Sequence, residues 1–216
     1  MACRVVVLLG MLMLVCCKGK TNVQESVKVV ESRQNDSTYI FDGISLDGWE
    51  ITNFGPQGPV SVSNREIILG IGDGCTGVTY IRNIPDKNYE ISLEARRREG
   101  NDFFCGLTFP VGKDFCTFIA GGWGGTTVGL SCINGLDAAE NETTSLHRFE
   151  KNRWYLIRVV VTDNKIEAWI DDVKVVDFET KGKRISVRPE VELSKPLGIA
   201  SWNTTAGVRN IRLRRL

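Results

Sequence analysis

The sequence predicts an all-β fold, a sandwich or barrel of antiparallel strands, on three observations. Apolar runs recur at 60–62, 66–71, 78–82, 88–98, 103–109, 115–121, 127–133, 153–162, 165–171, 173–178, 197–202 and 207–214, separated by Gly, Pro, Asn and Asp. No helical periodicity separates them, and 22 glycines suit a chain of many turns. The third observation is Asp114–Glu142, where Phe115–Gly121 and Thr127–Ile133 flank Gly122-Trp123-Gly124-Gly125 as two arms of a hairpin. At 216 residues, 42% hydrophobic and 25% charged, the chain is an ordinary globular protein with room for one sizeable core.

Taken in order, the chain opens with Arg4 and an uninterrupted apolar run, Val5–Val15, too short to span a membrane. Residues 1–16 therefore read as a signal peptide. Leu14-Val15-Cys16-Cys17 resembles a bacterial lipobox, which makes Cys17 the lipidated residue; cleavage before Cys16, or a plain signal peptide with incidental cysteines, are the alternatives. Localisation follows: exported and membrane-anchored, in the periplasm or cell envelope. Residues 17–38 are polar and mixed in charge, a flexible tether in which Val27–Val30 is the one strand-like run. The folded domain is expected over 39–216.

Loss of Arg4 with the leader brings 27 basic residues level with 26 acidic ones, so the domain has no electrostatic reason to seek nucleic acid. The arginines of Arg209–Arg215 are expected on the solvated face of one strand.

Within the hairpin, placing Gly121 opposite Thr127 also sets Ala120 against Val128, Phe118 against Leu130 and Cys116 against Cys132, a wholly apolar face for a core. The other face carries Thr117, Ile119, Thr127, Gly129, Ser131 and Ile133, small enough to leave space that Trp123 would border. Two readings stand for it, a solvated sheet surface or a ligand-binding concavity. Cys116 and Cys132 are either a cross-strand disulfide or two reduced, buried thiols. Residues 138–149 form a short helix or a long loop.

Several chemistries are absent from the sequence. There is no G-x-S-x-G elbow and no Walker loop, Gly70-Ile71-Gly72-Asp73-Gly74 reads as a turn, and the single His147 has no partner in a triad. No cofactor is expected. No D-x-D-x-D loop places a calcium ion, although a divalent metal such as calcium stays open, and cysteine spacing does not suit zinc.

Carboxylates remain. Alternation along Tyr89–Arg98 sends Tyr89, Ile91, Leu93 and Ala95 inward and Glu90, Ser92, Glu94, Arg96 and Arg98 outward. If that outer face meets the hairpin's, Glu94 beside Arg96 becomes an acid held near Thr117 and Ser131. Asp102 follows the same strand, and Glu140, Asn141 and Glu142 lie in an acidic loop after the hairpin that can lean over a ligand. Glu94, Asp102, Glu140 and Glu142 are thus the candidate catalytic acids. Arg96, Thr117, Trp123, Asn141 and Trp202 are the candidate ligand-binding residues, with Trp123 and Trp202 offering flat apolar faces; Trp202 filling the core is the alternative.

Phe41-Asp42-Gly43, Leu46, Gly48 and Trp49 resemble the F-[ND]-G-x-x-L-x-G-W opening of the 3-keto-disaccharide hydrolase family, and Val208-Arg209-Asn210-Ile211-Arg212-Leu213 its closing strand. Asn88–Arg96 and Ile166–Asp172 resemble two strands between them. The resemblance spans Tyr39 to Leu216 and implies a concanavalin A-like and laminin-G-like jelly roll of two antiparallel sheets. It implies carbohydrate as partner and cleavage of an oxidised disaccharide by hydrolysis or elimination; a lectin-like module on the same sheet is the competing class. Where enzymatic members carry N-S-G-[IVL]-x-x-R and then Y-E-x-Q, this chain has Asn101-Asp102-Phe103-Phe104-Cys105-Gly106-Leu107 and Phe115-Cys116-Thr117-Phe118.

Overall fold

Alternating burial along extended strands organises the computed structural model, which describes residues 37–216. The expected signal peptide, Cys17, Val27–Val30 and most of the tether lie outside the described residues. Ser37 and Thr38, read from the sequence as the end of the tether, already belong to β1 (Ser37–Tyr39), which pairs with the closing strand.

The strands that follow are β2 (Trp49–Ile51), β3 (Val60–Ser63), β4 (Glu66–Leu69), β5 (Cys75–Tyr80), β6 (Tyr89–Gly100), β7 (Cys105–Val111) and β8 (Asp114–Gly122). After them come β9 (Thr127–Ser131), β10 (Ser145–Leu146), β11 (Tyr155–Val161), β12 (Lys165–Ile170), β13 (Val173–Glu179), β14 (Leu197–Trp202) and β15 (Thr204–Arg215). A 3-10 helix, Pro189–Ser194, precedes β14. One sheet runs β13-β12-β11-β6-β15-β4-β3, with β1 also on β15; the other runs β10-β9-β8-β7-β14-β5-β2. Every pairing between these strands is antiparallel. The expected two-sheet sandwich is what folds.

The core lies between the sheets. Tyr89, Ile91, Leu93 and Ala95 of β6, Ile157 and Val159 of β11, and Val208 of β15 meet Leu107 and Phe109 of β7, Phe118 of β8, Leu130 of β9 and Ile199 of β14. The inward set of β6 is the one its alternation predicts. Ala120 faces Val128 and Phe118 faces Leu130 as expected, but Gly122, not Gly121, faces Thr127. A bulge at Gly121 absorbs the extra residue. β9 ends at Ser131, and Cys75, Cys105, Cys116 and Cys132 are all free and buried, so the disulfide reading of Cys116 and Cys132 gives way to the reduced one. Residues 138–149 are a loop carrying the two-residue β10, not a helix.

Candidate functional site

The outer face of the seven-stranded sheet is made of small side chains in register. One row across the strands reads Gly129, Ile119, Gly106, Ala200, Gly77; the next reads Ser131, Thr117, Thr108, Gly198, Thr79. Directly opposed residues share a face, so little rises from this floor except Ile119 and a row of hydroxyls. The 3-10 helix lies over one end: Leu193 O accepts from the Thr79 hydroxyl at 3.1 Å, and a Cβ on Gly198 would meet Ser194 O at 2.4 Å.

Over the remainder lies a cleft of about 260 Å³, floored by Thr117, Ile119 and Ser131. Phe103 and Trp202 form one wall, their ring centroids 6.5 Å apart, and Trp123 stands at the rim with 42% of its surface exposed. Arg188, Glu190 and Val191 form the opposite wall. Three charged side chains line it, Asp102, Arg188 and Glu190. Asp102 accepts from the Phe103 N–H at 2.7 Å through Oδ1 and takes part in no salt bridge among the described residues. Arg188 is held by Glu190 at 2.8 Å and Asp137 at 2.8 Å, and its hydrogen bond to Glu190 holds that carboxyl below its ordinary value.

Of the sequence-predicted residues, the cleft brings together Asp102, Thr117, Trp123 and Trp202. Trp202 is half-buried in the wall and not in the core. Glu94 and Arg96 are elsewhere: they project from the outer face of β6 in the eight-stranded sheet, so their expected proximity to Thr117 and Ser131 is corrected. There Glu94 accepts from Arg209 at 2.7 and 2.9 Å and from Asn210 at 2.7 Å. Arg96 reaches Glu66 at 2.6 Å and stacks on Trp154, 4.4 Å from the ring centre. Alternation fixes the side of a strand and not which sheet the strand joins.

The acidic loop also turns away. Asn141, expected to bind ligand, is buried and donates to the carbonyls of Leu130, Leu136 and Asp137 while accepting from Thr143, a role in closing its own loop. Glu142 pairs with Lys183 and borders a separate recess beside β13, and Glu140 is exposed on the loop. His147 stacks on Phe149, 4.6 Å between ring centres, as a loop residue. Among the described residues, no three Asp, Glu, His or Cys side chains gather as a metal-holding group. Burial pushes the Cys105 and Cys116 thiols up to about 12, far from thiolate chemistry at neutral pH.

A family model described as the 3-keto-alpha-glucoside-1,2-lyase-like domain matches residues 36–214. The chain belongs to that family. No curated protein matches the sequence. Among solved structures, the chain is similar to a protein provisionally named a glycosyl hydrolase from Parabacteroides distasonis, with 16% identity and a TM-score of 0.55 over 86% of this chain and 96% of that one. It is also similar to the Crh5 transglycosylase in complex with NAG, with 12% identity and a TM-score of 0.57 over 83% and 84% of the two chains. The Emp46p carbohydrate recognition domain shows 13% identity and a TM-score of 0.52 over 78% and 88%. At such identities the likeness is one of fold.

In this 3-keto-alpha-glucoside-1,2-lyase-like domain, sequence reasoning missed Arg188, Glu190, Phe103 and Arg97. Val187-Arg188-Pro189-Glu190 sits between strands and carries no period to read; its one signal is the Pro that starts a helical turn. Arg97 occupies the inward position after Ala95, and only 6% of it is exposed. Burial pulls its guanidinium below the ordinary value and the Asp102 carboxylate pulls it back up, so it stays charged.

Proposed function

We propose that the outer cleft is a carbohydrate site and that the chain cleaves a glycoside there, a 3-oxo-glycoside by elimination. The observation that carries this reading is the composition of the cleft: three aromatic rings, a hydroxyl-bearing floor and one carboxylate outside any ion pair. Its volume lies just under the roughly 300–1,000 Å³ of small-molecule pockets, which suits a single sugar ring. Trp123, Trp202 and Phe103 offer faces to the ring's C–H side, over a floor that Thr117, Ile119 and Ser131 close.

The choice of elimination over hydrolysis follows from counting acids. Glycoside hydrolysis uses two carboxyl groups, one to protonate the leaving oxygen and one as nucleophile or base. Here Glu190 is tied to Arg188, which leaves Asp102. A ketone at C3 changes the requirement, because it makes the C2 proton acidic. Asp102 takes that proton, the electron pair of the C2–H bond becomes the C1=C2 bond, and the C1–O bond breaks. The departing oxygen then receives the proton from Asp102, which returns to carboxylate. One proton-transferring group suffices.

The same proposal places the chain outside the cytoplasm on a lipid anchor at Cys17, a reading supported by the Leu14–Cys17 sequence alone. A second reading, carbohydrate binding without turnover, is favoured by one observation: Arg188 and Glu190 neutralise each other, so the far wall can hold a sugar without reacting. Incubating the purified chain with 3-oxo-glucosides and following the unsaturated product decides between them. Turnover that Asp102→Asn abolishes supports the lyase. Binding without turnover, lost in Trp123→Ala, supports the module, and neither binding nor turnover removes both.

A further inference from the structure

We propose that Arg97 is a positioning residue that fixes Asp102 and Trp123 relative to one another at the cleft, by tying the segment that carries Asp102 to the turn that carries Trp123. The assignment of a ligand to the cleft rests on the sugar reading above; the tie itself does not. Arg97 Nη2 donates to the carbonyls of Asp102 at 3.2 Å, Gly121 at 3.1 Å and Gly125 at 2.9 Å. Gly121 and Gly125 stand two residues to either side of Trp123, and the third carbonyl belongs to the residue whose carboxylate enters the cleft. One nitrogen thus joins the two segments that bring Asp102 and Trp123 to the cleft.

The local sequence is arranged for this contact. A Cβ at Gly121 would sit 2.4 Å from Nη2, and one at Gly125 would lie 3.2 Å from Nη1 and 2.8 Å from Asn101 O. Both glycines have positive φ, +80° and +105°, so a side chain there is opposed by backbone strain as well as by the guanidinium. The rings of Phe104 and Phe149 lie 5.3 and 5.9 Å from the guanidinium carbon and shield it from water. Nη2 carries two hydrogens for three carbonyls, so they are shared, and Nε makes no hydrogen bond. Lysine cannot replace it, because its ammonium ends about one bond length, roughly 1.3 Å, short of Nη2.

A misplacement of about that size is enough to cost on the order of 100-fold in rate. The full chain with Arg97→Lys is therefore expected to lose about 100-fold in kcat/KM on a 3-oxo-glucoside, through kcat and KM together, since both the proton-transferring group and the stacking ring move. Arg97→Met and Trp123→Ala are expected to be strongly non-additive in sugar affinity, the second change costing little once the first has released the turn. Additive losses overturn the proposal. Hydrogen exchange of the full chain without ligand gives an independent readout. In Arg97→Met, amides of 101–104 and 121–126 exchange faster while β6, β11 and β15 keep their protection. Exchange unchanged in either segment, or raised evenly across the sandwich, overturns the tie. A wild-type chain that ignores every sugar removes the functional reading, and the exchange pattern still decides for or against Arg97.

Discussion

On the outer face of the eight-stranded sheet, long charged side chains cover the backbone and consume one another. Glu66, with 3% of its side chain exposed, binds Arg96 at 2.6 Å and lies 3.7 Å from Arg98. Trp154 is held between Arg96 and Arg209, 4.4 and 4.0 Å from its ring centre, and Arg158 lies over Trp169 at 3.7 Å. On the outer face of the seven-stranded sheet the matching positions are, Ile119 apart, Gly, Ala, Ser and Thr, and aromatic and charged residues stand at the margin. The first face is filled by its own side chains, and the second holds the cleft. A charge-rich strand therefore points away from the cleft: its carboxylates Glu90 and Glu94 are committed to cross-strand arginines, while Asp102, outside any salt bridge among the described residues, borders the small-residue floor.

If the two faces divide chemistry from stability in this way, substitutions on them should separate cleanly. The largest effect is expected for Asp102→Asn, a loss of about 10²–10⁴ in kcat, the usual contribution of a positioned acid–base group. Unfolding should shift by no more than about 1 kcal/mol, since an amide oxygen can still accept from the Phe103 N–H and what is lost is the attraction of the carboxylate to Arg97. Steady-state kinetics paired with urea unfolding checks both halves. A large stability loss would merge the two faces into one structural unit.

The mirror case is Glu66→Gln on the other sheet. Removing the charge strands Arg96 against a buried neutral partner and should cost about 3 kcal/mol in urea unfolding. Affinity for any cleft ligand should be untouched. A cost under about 1 kcal/mol would place this pair with screened surface bridges and weaken the contrast.

Thr117→Val probes the floor of the cleft. The hydroxyl is buried and exchanges a 2.9 Å hydrogen bond with Thr108 across β7 and β8. Its loss leaves Thr108 unpaired, which should cost about 1–2 kcal/mol. Ligand affinity should fall as well, the joint effect that a floor residue must show; calorimetry and thermal unfolding of the same sample separate the two.

How far these assignments could be read in advance follows from the range over which each is encoded. The facing of Ala120 and Phe118 is local to one hairpin, so alternation and a glycine turn suffice, and Thr117 and Trp123 came with it. The bulge at Gly121 escaped because a glycine fits either count of residues. Glu94 went to the wrong site because β6 pairs with β11 and β15, and the closing strand lies more than a hundred residues away, beyond what a period-two pattern encodes. Arg188 and Glu190 belong to a single 3-10 turn, too short for any period. Arg97 was legible as a strand position, yet a charge at an inward position marks the strand's end in sequence and becomes meaningful only once the carbonyls around it are placed. β1, β2 and β10 are two or three residues long and carry no pattern to detect.

The smallest expected effect tests the division from the acid side. Burial pushes the Glu94 carboxyl up, but hydrogen bonds from Asn210 and Arg209 and the Arg209 charge outweigh it and leave it below its ordinary value of 4.5. A carboxylate with a depressed folded pKa stabilises the fold fully above its unfolded pKa and loses that contribution as pH falls through the folded value. Glu94→Gln should therefore cost about 1 kcal/mol at neutral pH, the upper range for a partly exposed pair. The gap should hold down to about the ordinary carboxylate pKa and close below it as wild-type Glu94 takes up its proton, while activity stays at the wild-type level throughout. Urea unfolding of both proteins from pH 7 to pH 3 measures the convergence. Curves that stay parallel would mean that Glu94 is held by packing and not by its charge, and a loss of turnover in Glu94→Gln would return catalysis to the eight-stranded sheet.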